Sequence, residues 1–118
     1  MKRAPDSLLP LSPATLHVLL ALTAGDLHGY AIMQSVASQS GGRYKIGPGT
    51  LYDNIKKLLR LGLIEEAPAE PTASDAEPRR RYRLTSSGSS VLAAETQRLT
   101  GVLRVARRSL RQLEERHS

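Results

Sequence analysis

The stretch from Gly47 to Ile64, GPGTLYDNIKKLLRLGLI, constrains this chain more than any other. It reads as one helix with a sharp start and a sharp stop. Pro48 stands where the first helical turn tolerates a residue without an N–H. Leu51, Ile55, Leu58 and Leu59 recur at helical spacing and form an apolar face. Asp53, Lys56, Lys57 and Arg60 fall on the opposite face, with Thr50 and Tyr52 flanking at the start. Gly62 ends the helix, and Leu63-Ile64 begins another element. An apolar back with a basic, hydrogen-bonding front is the form of a DNA-reading helix. It is equally the form of a solvated surface helix, so the remainder of the chain has to decide.

The chain has 118 residues, one domain's worth, and carries 17 Lys and Arg against 11 Asp and Glu, a net charge of +6. That balance favours an anionic partner, most often nucleic acid. The cations are clustered. Residues 43–60 hold five basic groups and one acid, residues 79–83 four arginines, and residues 98–111 five arginines without an acid. Acids collect at 65–77 and at the C-terminus. Four tyrosines with no Phe or Trp imply an aliphatic core and favour duplex DNA over single strands, which need exposed stacking rings. Cysteine is absent, which excludes disulfides and thiolate metal sites. No apolar run approaches the ~20 residues of a membrane span. The basic start Met-Lys-Arg has no apolar region behind it, so no signal peptide is expected and the cytoplasm is the expected compartment.

Residues 1–11, interrupted by Pro5 and Pro10, read as a flexible basic arm. Ser12-Pro13 starts a first helix, capped by the hydroxyl, with Leu16, Leu19, Leu20 and Thr23 on one face and Val18 and Leu22 widening it. Gly25 stops it, and Asp26–Gly29 reads as a turn. A second helix follows to Ser40, its buried face expected at Tyr30, Met33, Val36 and Ala37, and Gly41-Gly42 ends it. Arg43–Ile46 is short enough to be a single bridging strand. After the third helix, Leu63–Ala67 has strand character. Residues 68–78, with three prolines, form a loop tip. In Arg79–Leu84, Arg80, Tyr82 and Leu84 alternate with Arg79, Arg81 and Arg83. Two strands around a loop after three helices make a wing. Thr85 then caps a last helix over 85–116, in which Leu92, Leu99, Leu103, Ala106, Leu110 and Leu113 follow a heptad pattern, with Thr96 at one seam position. Such a helix is roughly 45 Å long, against ~25 Å expected for the rest of the domain. A seam that outruns its own domain implies a second chain, so the six seam residues are the expected homodimer interface.

Catalytic and metal-binding patterns are missing from the sequence. His17, His28 and His117 have no ligand spacing, no nucleophile elbow is present, and Gly41-Gly42 and Gly47-Pro48-Gly49 lack the spacing of phosphate-cradling loops. No enzyme activity, cofactor or metal is expected. His28 reads as structural, His17 as an edge or dimer-contact residue.

Three segments together resemble the PadR-like transcriptional regulators, a winged helix-turn-helix family. Leu27-His28-Gly29-Tyr30-Ala31-Ile32 is similar to the family's turn into helix two. Pro48–Tyr52 with Lys57-Leu58 and Gly62–Ile64 is similar to its recognition helix and exit. Tyr82–Gly88 is similar to its second wing strand and the entry to the C-terminal helix. The chain departs from the family at Gly47, where a capping Ser or Thr is common, and at Asp53, where many members have Pro. An acid there disfavours a nearby phosphate and suits a cytosine N4 donor. The resemblance implies a mainly α fold with a small β-wing: an arm over 1–11, a winged helix-turn-helix domain over 12–84 with its wing loop at 68–78, and a C-terminal dimerisation helix over 85–116. It also implies a cytoplasmic, homodimeric repressor on a palindromic operator. Some members release DNA on binding a hydrophobic effector at the dimer interface, in pockets lined by aromatics, and the last helix here contains none.

The expected DNA contacts are Arg43, Lys45, Thr50, Tyr52, Lys56, Lys57 and Arg60 around helix three, with Arg79, Arg80 and Arg81 in the wing gripping the minor groove or its flanking phosphates. Tyr52 can alternatively pack its ring on helix two. Arg104, Arg107, Arg108 and Arg111 read as the solvated flank of the dimer helix. A reading from another class stays open: a winged-helix pairing module whose basic surface meets an acidic protein.

Overall fold

The computed structural model describes residues 5–68 and 80–117. In chain order these form helix α1 (Pro13–Ala21), strand β1 (Leu27–His28), helices α2 (Gly29–Gln39) and α3 (Pro48–Arg60), strands β2 (Ile64–Glu66) and β3 (Arg81–Leu84), and helix α4 (Ser86–His117), with 3-10 turns at Pro5–Leu8 and Leu22–Ala24. This is the expected class, mainly helical with a small sheet and a long last helix. The wing tip and Arg79 lie outside the described residues.

Local chemistry sets the helix ends. The Ser12 hydroxyl accepts from the Thr15 N–H at 3.2 Å, and Pro13 occupies the first turn of α1. The Ala31 N–H donates to His28 Nδ1 at 3.3 Å, so His28 caps α2. Gly47 at the head of α3 offers no side-chain cap. The tail of α3 is secured instead. Gly62 turns left-handed at φ +74°, its N–H donating to the Leu59 carbonyl and that of Leu63 to the Leu58 carbonyl, a Schellman closure.

The sheet is antiparallel in the order β1-β3-β2, pairing Leu27 with Tyr82 and Ile64 with Leu84. Two sequence expectations change here. Leu27-His28, expected in a turn, is the third strand, because it lies alongside β3. Arg43–Ile46 is not a strand. Ser40 Oγ takes up the Tyr44 backbone, accepting from its N–H at 2.8 Å, and the Tyr44 ring stacks on His17 with centroids 4.8 Å apart. That contact also occupies His17 within its own chain.

The core joins Val18 and Leu19 of α1, Ile32 and Val36 of α2, Leu51, Ile55 and Leu58 of α3, Ile64 and Tyr82 of the sheet, and Val91 and Leu92 of α4. It is aliphatic apart from Tyr82. Helix α2 is rotated from its expected setting: Gly29, Ile32 and Val36 face inward, and Tyr30, expected to be buried, is 60% exposed. The expected four residues and the observed three both satisfy helical spacing and share Val36, so periodicity alone could not separate them.

Helix α4 has two halves. Gly88, Val91, Leu92 and Glu95 are buried against the domain. Leu92, expected in the dimer seam, therefore belongs to the core of its own chain, at 8% exposure. From Val102 to His117 every residue is exposed, including Val102, Leu103, Val105, Leu110 and Leu113.

Of the expected loose arm, residues 1–4 lie outside the described residues, and from Leu8 onward the arm is docked. Leu8, Leu9 and Leu11 pack on the core, and the Leu11 N–H donates to Glu95 Oε2 at 2.9 Å. Glu95 is almost fully buried and is satisfied by that N–H and by the Arg98 guanidinium, whose Nε and Nη2 reach its two oxygens. The Arg98 hydrogen bond, helped by Leu11 and opposed by burial, holds the Glu95 carboxyl below the usual carboxylate range.

Two expectations follow. A Cβ on Gly88 would sit 2.0 Å from the Leu63 carbonyl oxygen, so Gly88→Ala should cost at least about 2 kcal/mol in a denaturant melt. Because the folded value of Glu95 is depressed, its contribution is complete above the unfolded value of 4.5 and is lost as pH falls through the lower folded value. Thermal melts of Glu95→Gln should accordingly show less loss of Tm on acidification than wild type.

Candidate nucleic-acid interface

Helix α3 lies with its back in the core and its front in solvent. Leu51, Ile55 and Leu58 are buried, whereas Thr50, Tyr52, Asp53, Lys56, Lys57 and Arg60 are exposed. At 100° per residue Asp53, Lys56, Lys57 and Arg60 share one arc, with Asp53 inside it. Among the described residues Asp53 makes no ion pair with its basic neighbours. Arg43 and Lys45, exposed in the segment leading into α3, extend the basic surface from its head. Lys57 borders the N-terminal segment, with Leu8, Pro10 and Leu11 lining the same small cavity.

A polar chain fixes how far α3 stands from α1. The Ser12 hydroxyl donates to Thr15 Oγ1 at 2.9 Å, and Thr15 donates to Asn54 Oδ1 at 2.8 Å. Asn54 Nδ2 in turn donates to the Thr50 carbonyl at 2.8 Å. Thr15 is buried, so this chain also satisfies a hydroxyl that would otherwise be costly. Sequence reading missed the tie, because Thr15 and Asn54 are 39 residues apart and neither belongs to a local pattern.

The wing arginines are engaged within the wing. Arg83 Nε donates to Glu65 Oε1 at 3.0 Å, and Arg80 Nη1 lies 3.8 Å from Glu66 Oε1. Arg81, expected as a DNA contact, donates from Nη2 to the Pro68 carbonyl at 2.8 Å and is half-buried. The antiparallel register puts Glu65 opposite Arg83 and Glu66 opposite Tyr82. The wing is therefore less positive than its arginine count suggests, and Arg80 is its most exposed described cation.

Between the head of α2, α3 and the wing lies a cleft of about 730 Å³ lined by His28, Gly29, Tyr30, Tyr52, Arg80 and Tyr82. Tyr52 divides its surface between solvent and α2: a Cβ on Gly29 would fall 2.6 Å from the Tyr52 hydroxyl. Both roles expected for Tyr52, contact and packing, are thus open to it. Burial, reinforced by the Glu66 carboxylate, pushes the Tyr82 phenol above its ordinary value. Among the described residues no group of His and acids is placed to hold a metal ion, and no helix is long and apolar enough to cross a membrane.

Three helices, a three-stranded wing and a projecting C-terminal helix define a winged helix-turn-helix protein. Residues 18–94 match the Transcriptional regulator PadR-like family. The chain belongs to that family, whose members are transcriptional regulators and not enzymes. A transcriptional regulator of Mycobacterium tuberculosis, Rv3488, is 29% identical over 89 residues, 75% of this chain and 78% of its own. A PadR family regulator of Clostridium difficile superposes with a TM-score of 0.70 at 21% identity, covering 84% of this chain and 99% of that one. Bacillus subtilis PadR, solved in complex with operator DNA, gives a TM-score of 0.59 at 25% identity, covering 68% of this chain and 44% of that one.

The Gly62 turn sets the exit angle of α3. Gly62→Ala places a side chain at positive φ and should cost about 1 kcal/mol in a chemical denaturation curve, with the sheet still intact by circular dichroism.

Proposed function

We propose that this chain is a cytoplasmic, sequence-specific, homodimeric repressor that binds an imperfectly palindromic operator. One observation carries the reading: the front of α3 is wholly exposed and basic while its back is locked into the core. The likeness to a PadR solved with operator DNA supports it. Helix α3 enters the major groove, with Lys56, Lys57 and Arg60 on phosphates and base edges and Thr50 and Tyr52 donating to phosphate. Arg43 and Lys45 meet the backbone beside it, and the wing meets the flanking phosphates through Arg80. Asp53 accepts from a cytosine N4 or tunes the field around Lys56 and Lys57.

The dimer forms through the exposed half of α4. Leu99, Leu103, Ala106, Leu110 and Leu113 continue a heptad seam with no partner among the described residues, and Val102 lies beside them. Half-sites then stand about one helical turn, ~10 bp, or a multiple apart.

In a gel-shift titration on the chain's own upstream region at fixed salt, Lys57→Ala with Arg60→Ala should weaken binding by about 1–3 kcal/mol. Undiminished binding would remove α3's front from the interface. A pull-down partner with no shift on that DNA would favour the protein-pairing alternative. For the dimer, Leu103→Glu with Leu110→Glu should halve the mass seen by light scattering while leaving the domain folded, because both side chains are exposed in the single chain. An intact dimer would place the interface elsewhere.

A further inference from the structure

We propose that the cleft between α2, α3 and the wing seats one backbone phosphate of the bound duplex, with Tyr82 as a donor, an inference that rests on the DNA-binding reading above. The starting point is Tyr82. Its ring is buried in the core, at 5% exposure, yet the residue lines the cleft. Among the described residues its hydroxyl has no hydrogen-bond partner. The hydroxyl is not among the polar atoms sealed off without a partner, so cleft water serves it in the free protein, and an anion entering the cleft can take that water's place as acceptor where a phenylalanine would offer nothing.

The surroundings specify what that acceptor is. The Tyr52 hydroxyl reaches the same cleft from α3, seated against the first turn of α2 at a position that Gly29 alone leaves open. Tyr30, turned to solvent, stands at its rim. Arg80 adds a cation from the wing, its side chain 77% exposed. The N-terminus of α2, eleven residues long, directs its positive end here. Three phenol donors, a guanidinium and a helix N-terminus converge, a set suited to an anion with several oxygens. One carboxylate opposes it: Glu66, 3.8 Å from Arg80 and about half exposed. A phosphate would replace Glu66 as the partner of Arg80, and Glu66 has solvent to turn into. The cleft lies between α3 and the wing, so a strand running from the groove read by α3 towards the wing crosses it. That position selects a duplex phosphate over a free anion.

The test uses fluorescence anisotropy of a labelled duplex from the chain's own upstream region, titrated between about 50 and 200 mM salt. Tyr82→Phe, which keeps the ring, should melt like wild type and bind about fivefold to tenfold more weakly. Its slope of log K against log salt should not change, since a phenol displaces no counterion, whereas Arg80→Gln should lower the slope by about one. If both grip one phosphate, the double variant should lose less than the product of the single losses. Tyr82→Phe binding as wild type would overturn the seat and leave the DNA reading standing. Wild type failing to bind any duplex would overturn both. Should Tyr82→Phe unfold, the cycle of Tyr52→Phe with Arg80→Gln carries the test: coupling of at least about threefold is expected, and independent losses overturn the proposal. Inorganic phosphate at matched ionic strength should compete no better than chloride. A phosphate-specific loss of binding that Tyr82→Phe abolishes would make the site a free-anion site and overturn the assignment to the duplex.

Discussion

The arrangement of this protein depends on the junction at Gly62-Leu63. Three elements meet there through backbone groups. The Schellman closure of α3 presents the Gly62 carbonyl to the Thr85 hydroxyl at 2.6 Å, and the Leu63 carbonyl accepts from the Thr85 N–H at 3.1 Å. Thr85 Oγ1 also accepts from the Gly88 N–H at 3.1 Å, capping the first turn of α4. One threonine thus ties the end of the basic helix to the start of the projecting helix. Gly88 then lies against the Leu63 carbonyl with no room for a Cβ. A side chain at Gly88 would push α4 away from β2 and change the angle between the two helices. Packing of this kind transmits displacement, because a close-packed contact has no slack to absorb it.

A second tie works two turns further along the packed half of α4. Among the described residues Glu95 is the most deeply buried charged one, and its partners come from α4 itself and from the N-terminal segment. A buried carboxylate is costly unless fully paired, and here both oxygens are engaged. The result is specific more than it is strong. The Leu11 backbone has one place to dock, and that docking sets Leu8 and Leu11 beside Lys57. The same economy governs the surface. The net charge of +6 is not spread evenly. Glu65 and Glu66 sit in cross-strand register with the wing, so β2 tempers β3, while the front of α3 keeps three cations against one carboxylate. Between α3 and the described part of the wing, the helix front carries the larger excess of cations over carboxylates.

Much of this was legible in the sequence because the signals are local. Pro48 and Gly62 bracket α3, Ser12-Pro13 starts α1, Gly41-Gly42 ends α2, and each acts through its own backbone. The basic front of α3 followed from the periodicity of Leu51, Ile55, Leu58 and Leu59, although Leu59 itself lies exposed at the edge of the buried face. What could not be read was set by contacts between distant residues. The two-residue strand Leu27-His28 exists because β3 lies beside it. Thr15 reaches Asn54 across 39 positions. The tie of Arg81 was hidden because its acceptor, the Pro68 carbonyl, lies 13 positions away. Leu92 fits the heptad of the exposed seam as well as it fits the core, since Gly88, Val91, Leu92 and Glu95 continue the same arc inward. Glu95 lies on that arc three residues before Arg98, a spacing at which helical side chains meet.

The exposed half of α4 raises a question that helix physics answers in part. A helix of this length without tertiary contacts is marginal in water, and this one carries an apolar arc that water disfavours. At 100° per residue Leu99, Val102, Leu103, Ala106, Leu110 and Leu113 fall within one third of the circumference, and Arg104, Arg107, Arg108 and Arg111 fall opposite. The two arcs do different work. The apolar arc gains stability when covered, while the arginine arc stays solvated. In a dimer paired through the apolar arc, α4 is the rigid arm between the seam and α3. The distance between the two copies of α3 is then fixed by the length of α4 and by the angle set at Thr85 and Gly88. In such a dimer, operator spacing would be a property of that junction and not of the basic helix.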